Sequence, residues 1–304
     1  MKINKKSKIF IAGHKGMVGS AIYRKLLNEG YEKIIVADRK KLDLINQSKT
    51  LSFLKKNKPN FVIIAAAKVG GILANAKFKD KFIYENLQIQ NNIIHGSYLA
   101  GVKNLFLLGS SCIYPKFCKQ PMKEKYLLTG KLEETNDAYS IAKIAGLKMC
   151  EYYSKIHNVN FKSLMPPNLY GPNDNYDLKT SHFYPALFKK IYIAKKKKLK
   201  FLRILGTGKA KRELMFVDYF ADAVFFFMNK KIKQPYLNIG TGKGTSVLQL
   251  IETFQRVNKI KVPYVYSDRR NGDLCSVVAD NSRLTSKFKI ILKRTIEDMC
   301  IDSW

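Results

Sequence analysis

Short apolar runs alternate with longer amphipathic stretches along the first half of the chain. Lys8 to Ala12, Lys33 to Ala37, Phe61 to Ala66, Asn104 to Leu108 and Phe161 to Met165 read as strands buried on both faces. Between them, helical periodicity runs from about Met17 to Asn28, Thr50 to Lys56, Lys81 to Ala100 and Tyr139 to His157. Regular alternation of strand and helix predicts an α/β fold with a doubly wound parallel sheet and helices on both faces. After Pro166-Pro167-Asn168-Leu169-Tyr170-Gly171-Pro172 the alternation weakens. Short strands (Leu202 to Leu205, Tyr236 to Ile239, Tyr264 to Tyr266) then mix with helices (Val217 to Met228, Ser246 to Val257), which suits a smaller C-terminal α/β lobe. The expected division is a dinucleotide-binding half, 1–170, and a mainly substrate-binding lobe, 171–304, whose elements can cross back to the sheet.

Composition narrows the class. At 304 residues and 46% hydrophobic the chain can bury a large core, which excludes a disordered protein. No apolar run is long enough to span a bilayer, and the basic start leads straight into a strand, so a cytoplasmic enzyme is expected. The formal charge of +32 invites a nucleic-acid partner. Lysines are scattered through nearly every segment, however, and no nucleic-acid motif accompanies them; the charge better suits an anionic substrate such as a nucleotide sugar. The five cysteines (Cys112, Cys118, Cys150, Cys275, Cys300) form no CxxC and no zinc spacing, so no metal is expected.

Three motifs carry the chemistry. Gly13-His14-Lys15-Gly16-Met17-Val18-Gly19 lies between the first strand and the first helix, where glycines let a pyrophosphate approach the backbone. Asp38 at the end of the second strand could accept from a ribose hydroxyl and favour NAD, whereas Arg39 and Lys15 could hold a 2′-phosphate and favour NADP; both remain open. Tyr139 and Lys143 are four apart on one helix face, so the ammonium is expected to lower the tyrosine pKa and make the phenol a proton donor. Ser110 follows an apolar strand and could bond the same substrate oxygen. Ser110, Cys112, Tyr139 and Asn168 should gather beyond the carboxyl ends of the strands. This is equipment for interconverting a carbonyl and an alcohol.

The phrases Phe10–Ala21, Ala65–Ile72, Gly109–Pro115, Tyr139–Gly146 and Asn168–Pro172 resemble the extended short-chain dehydrogenase/reductase superfamily, and within it the GDP-L-fucose synthase family. The resemblance is tight over about the first 190 residues. It implies a Rossmann-type fold, NADP(H), a homodimer formed through the two long helices, and a GDP-linked 4-keto-6-deoxy sugar as partner. By the same resemblance Ser110, Cys112, Tyr139, Lys143 and His182 would be catalytic, with Cys112 the base and His182 the acid. Without it, Cys112 would read as an inert thiol and His182 as a loop histidine. The cofactor would contact the glycine turn, Asp38, Arg39, Leu108, Gly109, Ser110, Ser111, Lys143, Pro166, Pro167, Asn168, Leu169 and His182. Lys190, Leu205, Arg212 and Asp280 would contact the substrate. The chain departs from the family where Leu205 replaces a tryptophan, where Pro167 replaces a small hydroxyl residue, and where Arg269-Arg270-Asn271-Gly272-Asp273 replaces Lys-Pro-Asp-Gly. That last stretch is closer to the Arg-x-Gly-Asp of other nucleotide-sugar epimerases. A reductase or epimerase for another 4-keto nucleotide sugar, such as a GDP-6-deoxy-heptose, and a non-catalytic dinucleotide-binding protein stand as alternatives.

Overall fold

The computed structural model describes residues 3–230, 232–269, 272–286, 288 and 294–304. Arg270 and Asn271, part of the Arg-x-Gly-Asp stretch, lie outside the described residues. In chain order the elements are β1 (Ile9–Ala12), α1 (Met17–Asn28), β2 (Ile34–Ile35), α2 (Gln47–Asn57), β3 (Phe61–Ile64), α3 (Ile72–Lys77), α4 (Lys79–Leu99), β4 (Asn104–Leu108), α5 (Asp137–Ile156) and β5 (Asn160–Met165). They continue with β6 (Asn168–Tyr170), α6 (Phe183–Lys196), β7 (Leu202–Leu205), β8 (Lys211–Phe216), α7 (Val217–Met228) and β9 (Tyr236–Asn238). The last are β10 (Gly244–Ser246), α8 (Val247–Val257), β11 (Tyr264–Ser267), β12 (Ser276–Val277), α9 (Ser282–Thr285) and α10 (Ile296–Ser303).

The main sheet is parallel, in the order β2-β1-β3-β4-β5-β9. From β1 the chain first adds β2 on one side and then β3 on the other, so the winding reverses between β1 and β3. Ligands of open α/β sheets bind beyond the carboxyl ends of strands at such a point. Alternate side chains explain why these runs are apolar throughout. Ile9, Ile11, Phe61, Ile63 and Phe106 pack with Leu26 of α1 and Phe220 and Val224 of α7. Their neighbours Phe10, Val62, Ile64, Leu105 and Leu107 pack the other way, with Leu54 of α2, Ile93 and Ile94 of α4 and Cys150 of α5. A strand covered on both faces has no polar side to show.

Helix and strand ends differ from the expected bounds for local reasons. α2 starts at Gln47 because Asn46 caps it, accepting from the Lys49 amide at 2.9 Å. β2 keeps only Ile34 and Ile35, because it is an edge strand paired on one side, to β1. α4 and α5 pack closely at Gly146, where a Cβ would lie 2.5 Å from Gln90 Oε1.

The second lobe has its own core, with Tyr184, Phe188 and Ile191 of α6, Leu250 and Phe254 of α8 and Met299 of α10. β8 joins it to the first half, since β6 pairs with β8 directly after β5 ends. α7 and β9 return to the main sheet although they lie late in the chain.

Candidate active site

A cavity of about 910 Å³ opens at the carboxyl ends of β1, β3 and β4 and extends to α6 and β8. Every site residue named from the sequence lines it except Leu205 and Asp280.

The glycine turn is shaped by backbone contact. Gly13 has φ +89°, a left-handed conformation, and a Cβ there would lie 2.6 Å from the Ala66 amide nitrogen. A Cβ on Gly19 would overlap the Gly13 carbonyl oxygen, so α1 can approach β1 only with glycine at this position. Gly16 donates to the Gly13 carbonyl at 3.1 Å, and α1 begins with no side-chain cap and no acidic residue in its first turn. Such an end fits the pyrophosphate of a dinucleotide. Across the cavity rim, Asp38 accepts from the Lys41 amide at 3.0 Å and lies 3.4 Å from Lys15 Nζ. The Lys41 hydrogen bond, then Lys15, hold its carboxyl below the usual range. Arg39, whose guanidinium is 4.0 Å from Asp43, stands exposed beside it.

β4 delivers the next group of residues. Ser110 caps the single turn that follows, accepting from the Cys112 amide at 3.4 Å, and the Cys112 thiol donates to Ser110 Oγ at 3.0 Å. Ser140 Oγ donates to the Cys112 carbonyl at 2.9 Å, fixing this turn to α5 beside Tyr139. Among the described residues the Tyr139 hydroxyl has no hydrogen-bond partner. Asn168 donates to the Glu213 carbonyl at 3.1 Å, tying β6 to β8.

The electrostatics correct one expectation. Lys143 was to lower the Tyr139 pKa, but burial and then Cys112 raise the phenol above its ordinary value. The Lys143 ammonium donates to the Leu108 carbonyl at 2.8 Å and sits 5.7 Å from the Tyr139 ring centre. At that separation loss of solvation outweighs the attraction. Burial also brings Lys143 down to about 8. Carrying the charged lysine therefore costs the fold about 3 kcal/mol at neutral pH. Lys143→Met should stabilise the ligand-free protein by about 1–3 kcal/mol at pH 7. The gain should fade as pH rises from about 8 towards 10.5, since native lysine gives up its proton before unfolded lysine and wild-type stability climbs across that window. Thermal unfolding of both proteins at pH 7 and pH 10 checks this; a variant less stable at pH 7 would contradict it.

His182 lies just before α6, in a position surrounded by protein yet open to the cavity, and loss of solvation lowers its pKa. Behind it, Gly71 donates to the Thr180 carbonyl at 3.1 Å, bringing the loop after β3 against the loop that leads into α6. Lys190, one face along α6, and Arg212 of β8 extend the wall away from the glycine turn.

Leu205 and Asp280 do not join this wall. Leu205 ends β7, is 39% exposed and pairs with Ser267 of β11. Asp280 turns its carboxylate onto the amide of Ser282 at 3.0 Å, ahead of α9. Asp273 and Asp174 are acidic cavity residues that were not named as site residues from the sequence. Asp273 forms an ion pair with Arg212; its signal was the Gly-Asp that departs from the resembled family. Asp174, whose carboxyl is pushed up to about 6 by burial, had no signal beyond its place after Tyr170-Gly171-Pro172.

The comparisons with known proteins agree with this geometry. The model of the NAD dependent epimerase/dehydratase family matches residues 9–240. A GDP-L-fucose synthase of Sinorhizobium fredii is 47% identical over 279 residues, 92% of this chain and 88% of the relative. A Campylobacter jejuni GDP-6-OMe-4-keto-L-xylo-heptose reductase superposes with TM-score 0.89 at 34% identity, covering 98% of each chain. A GDP-mannoheptose C4 reductase from the same organism, solved with NADP bound, gives TM-score 0.86 at 34% identity, again over 98% of each. With its reversed sheet, glycine cradle and Tyr139/Lys143 pair, the chain belongs to the NAD dependent epimerase/dehydratase family, and GDP-L-fucose synthases are among its relatives.

Proposed function

We propose that this protein is a cytoplasmic NADPH-dependent enzyme that epimerises C3 and C5 of GDP-4-keto-6-deoxy-D-mannose and reduces C4, giving GDP-L-fucose. The observation that carries the reading is the grouping of Cys112, Ser110, Tyr139 and His182 on one cavity with a dinucleotide cradle. The sequence likeness to GDP-L-fucose synthases supports the substrate.

The 4-keto group acidifies the protons on both adjacent carbons, so one base and one acid can invert each centre through an enolate. In this reading the Cys112 thiolate removes a proton from one face of the ring. His182 returns a proton to the opposite face, and its lowered pKa makes it a ready proton donor once charged. Ser110 and Tyr139 donate to O4 and hold the enolate charge. When bound, NADPH supplies the hydride that reduces C4. Tyr139 then protonates O4, and the buried Lys143 ammonium stabilises the phenolate left behind. Gly13 to Gly19 would hold the pyrophosphate, and Lys15 and Arg39 the 2′-phosphate, because Asp38 is already engaged by the Lys41 amide and Lys15. Lys190 and Arg212 would bind the GDP diphosphate.

Residues 1–170 would form the cofactor half and 171–304 mainly the substrate lobe. Pairing of two copies through α4 and α5 is supported by the exposed apolar side chains of Tyr84, Ile141, Tyr152 and Ile156 on these helices.

The likeness to heptose reductases favours a second reading, C4 reduction of a related GDP-linked keto heptose without epimerisation. Simple reduction needs neither Cys112 nor His182. Substrate-dependent NADPH oxidation tests the first reading: one NADPH should be consumed per GDP-4-keto-6-deoxy-mannose. Oxidation with a keto heptose alone would favour the second. Turnover with no net oxidation would point to a redox-neutral epimerase.

A further inference from the structure

The wall assigned above to the GDP diphosphate holds an acid as well as a base. Arg212 and Asp273 form an ion pair whose side chains are only 11% and 17% exposed, and both line the cavity. The position of Asp273 is set by its surroundings. Arg269 Nη2 donates to the Asp273 carbonyl at 2.6 Å, and Lys211 donates its amide to the Cys275 carbonyl at 2.9 Å. Beyond Cys275, β12 runs parallel to β8 with Val277 opposite Arg212. On the other side, a Cβ on Gly272 would overlap Thr135 Oγ1, so the chain passes hard against the segment that leads into α5.

A nearly buried carboxylate beside an arginine neutralises it, and the wall then offers a diphosphate less positive potential than the arginine alone. A diphosphate arriving at Arg212 must share the guanidinium with Asp273 and approach a fixed negative charge at short range.

We propose that Asp273 is a built-in competitor for the nucleotide diphosphate, a positioning residue that acts through Arg212. It holds the guanidinium fork in place while the cavity is empty and weakens retention of the nucleotide-sugar product. The proposal rests on the GDP-linked substrate assigned above. It concerns a residue that distinguishes this chain from the Lys-Pro-Asp-Gly pattern of the family it resembles.

Titration calorimetry with GDP as the probe tests it on the full-length protein. Asp273→Asn keeps the shape and removes the charge, and should tighten GDP binding by about tenfold. Asp273→Ser, smaller and also uncharged, should shift affinity in the same direction. In steady state Asp273→Asn should lower KM for the GDP-sugar and lower kcat with it, as product leaves more slowly; a merely structural loss would raise KM. NADPH binding should be unchanged in both variants. GDP affinity that is equal to or weaker than wild type in both variants overturns the role of Asp273 and leaves the substrate assignment standing. Absence of GDP binding by the wild-type protein overturns the substrate assignment and this proposal with it.

Discussion

Tyr139→Phe is expected to lower turnover by about a thousandfold while the protein folds and binds NADPH as before. The magnitude follows from losing the group that donates the proton to O4. Stability should change little, because among the described residues the hydroxyl has no hydrogen-bond partner to strand. The ring, half-buried on α5, remains to fill its place. The raised phenol pKa sharpens the expectation. A phenol kept protonated is a poor base but a secure donor, and the reaction direction that consumes NADPH asks for a donor. Pre-steady-state absorbance of the reduced nicotinamide would show the defect in the chemical step. A variant retaining more than about a tenth of wild-type turnover would remove Tyr139 from the mechanism.

Cys112→Ser should separate the two halves of the reaction. A serine hydroxyl does not ionise at neutral pH, so proton removal from C3 and C5 should fall by at least about a hundredfold. The substitution is nearly isosteric, and the contacts of the turn with Ser110 and Ser140 use the Cys112 backbone as well as its thiol. NADPH binding should survive, and slow reduction of the un-epimerised keto sugar should become visible. Unchanged exchange in this variant would return Cys112 to the class of inert thiols, alongside the fully buried Cys150 and Cys300.

Much of this was readable before the structure because it is local. The buried strands had to be apolar throughout, and the glycines at 13, 16 and 19 had to open the first helix. Tyr139 and Lys143 share a helix face by spacing alone. What could not be read depends on contacts between distant segments. Tyr236 to Asn238 was readable as a strand, but its place at the edge of the main sheet depends on β5 lying beside it. Leu205 and Asp280 were placed by isolated likeness in a region where the alternation had weakened, and other contacts claim them. The spacing of Lys143 and Tyr139 was readable, but the net direction of the phenol pKa was not, since spacing carries no information about the burial that raises it. Asp273 was visible as an anomaly, but its partner Arg212 is 61 positions away in the chain.

In the proposed function one cavity performs both epimerisation and reduction. The most direct measurement is to incubate the protein with GDP-4-keto-6-deoxy-mannose and NADPH in deuterated water and to locate deuterium in the product by NMR. NADPH should be oxidised, with deuterium at both C3 and C5 of the product sugar. Oxidation that leaves both carbons unlabelled would contradict the proposed function and make the protein a reductase only.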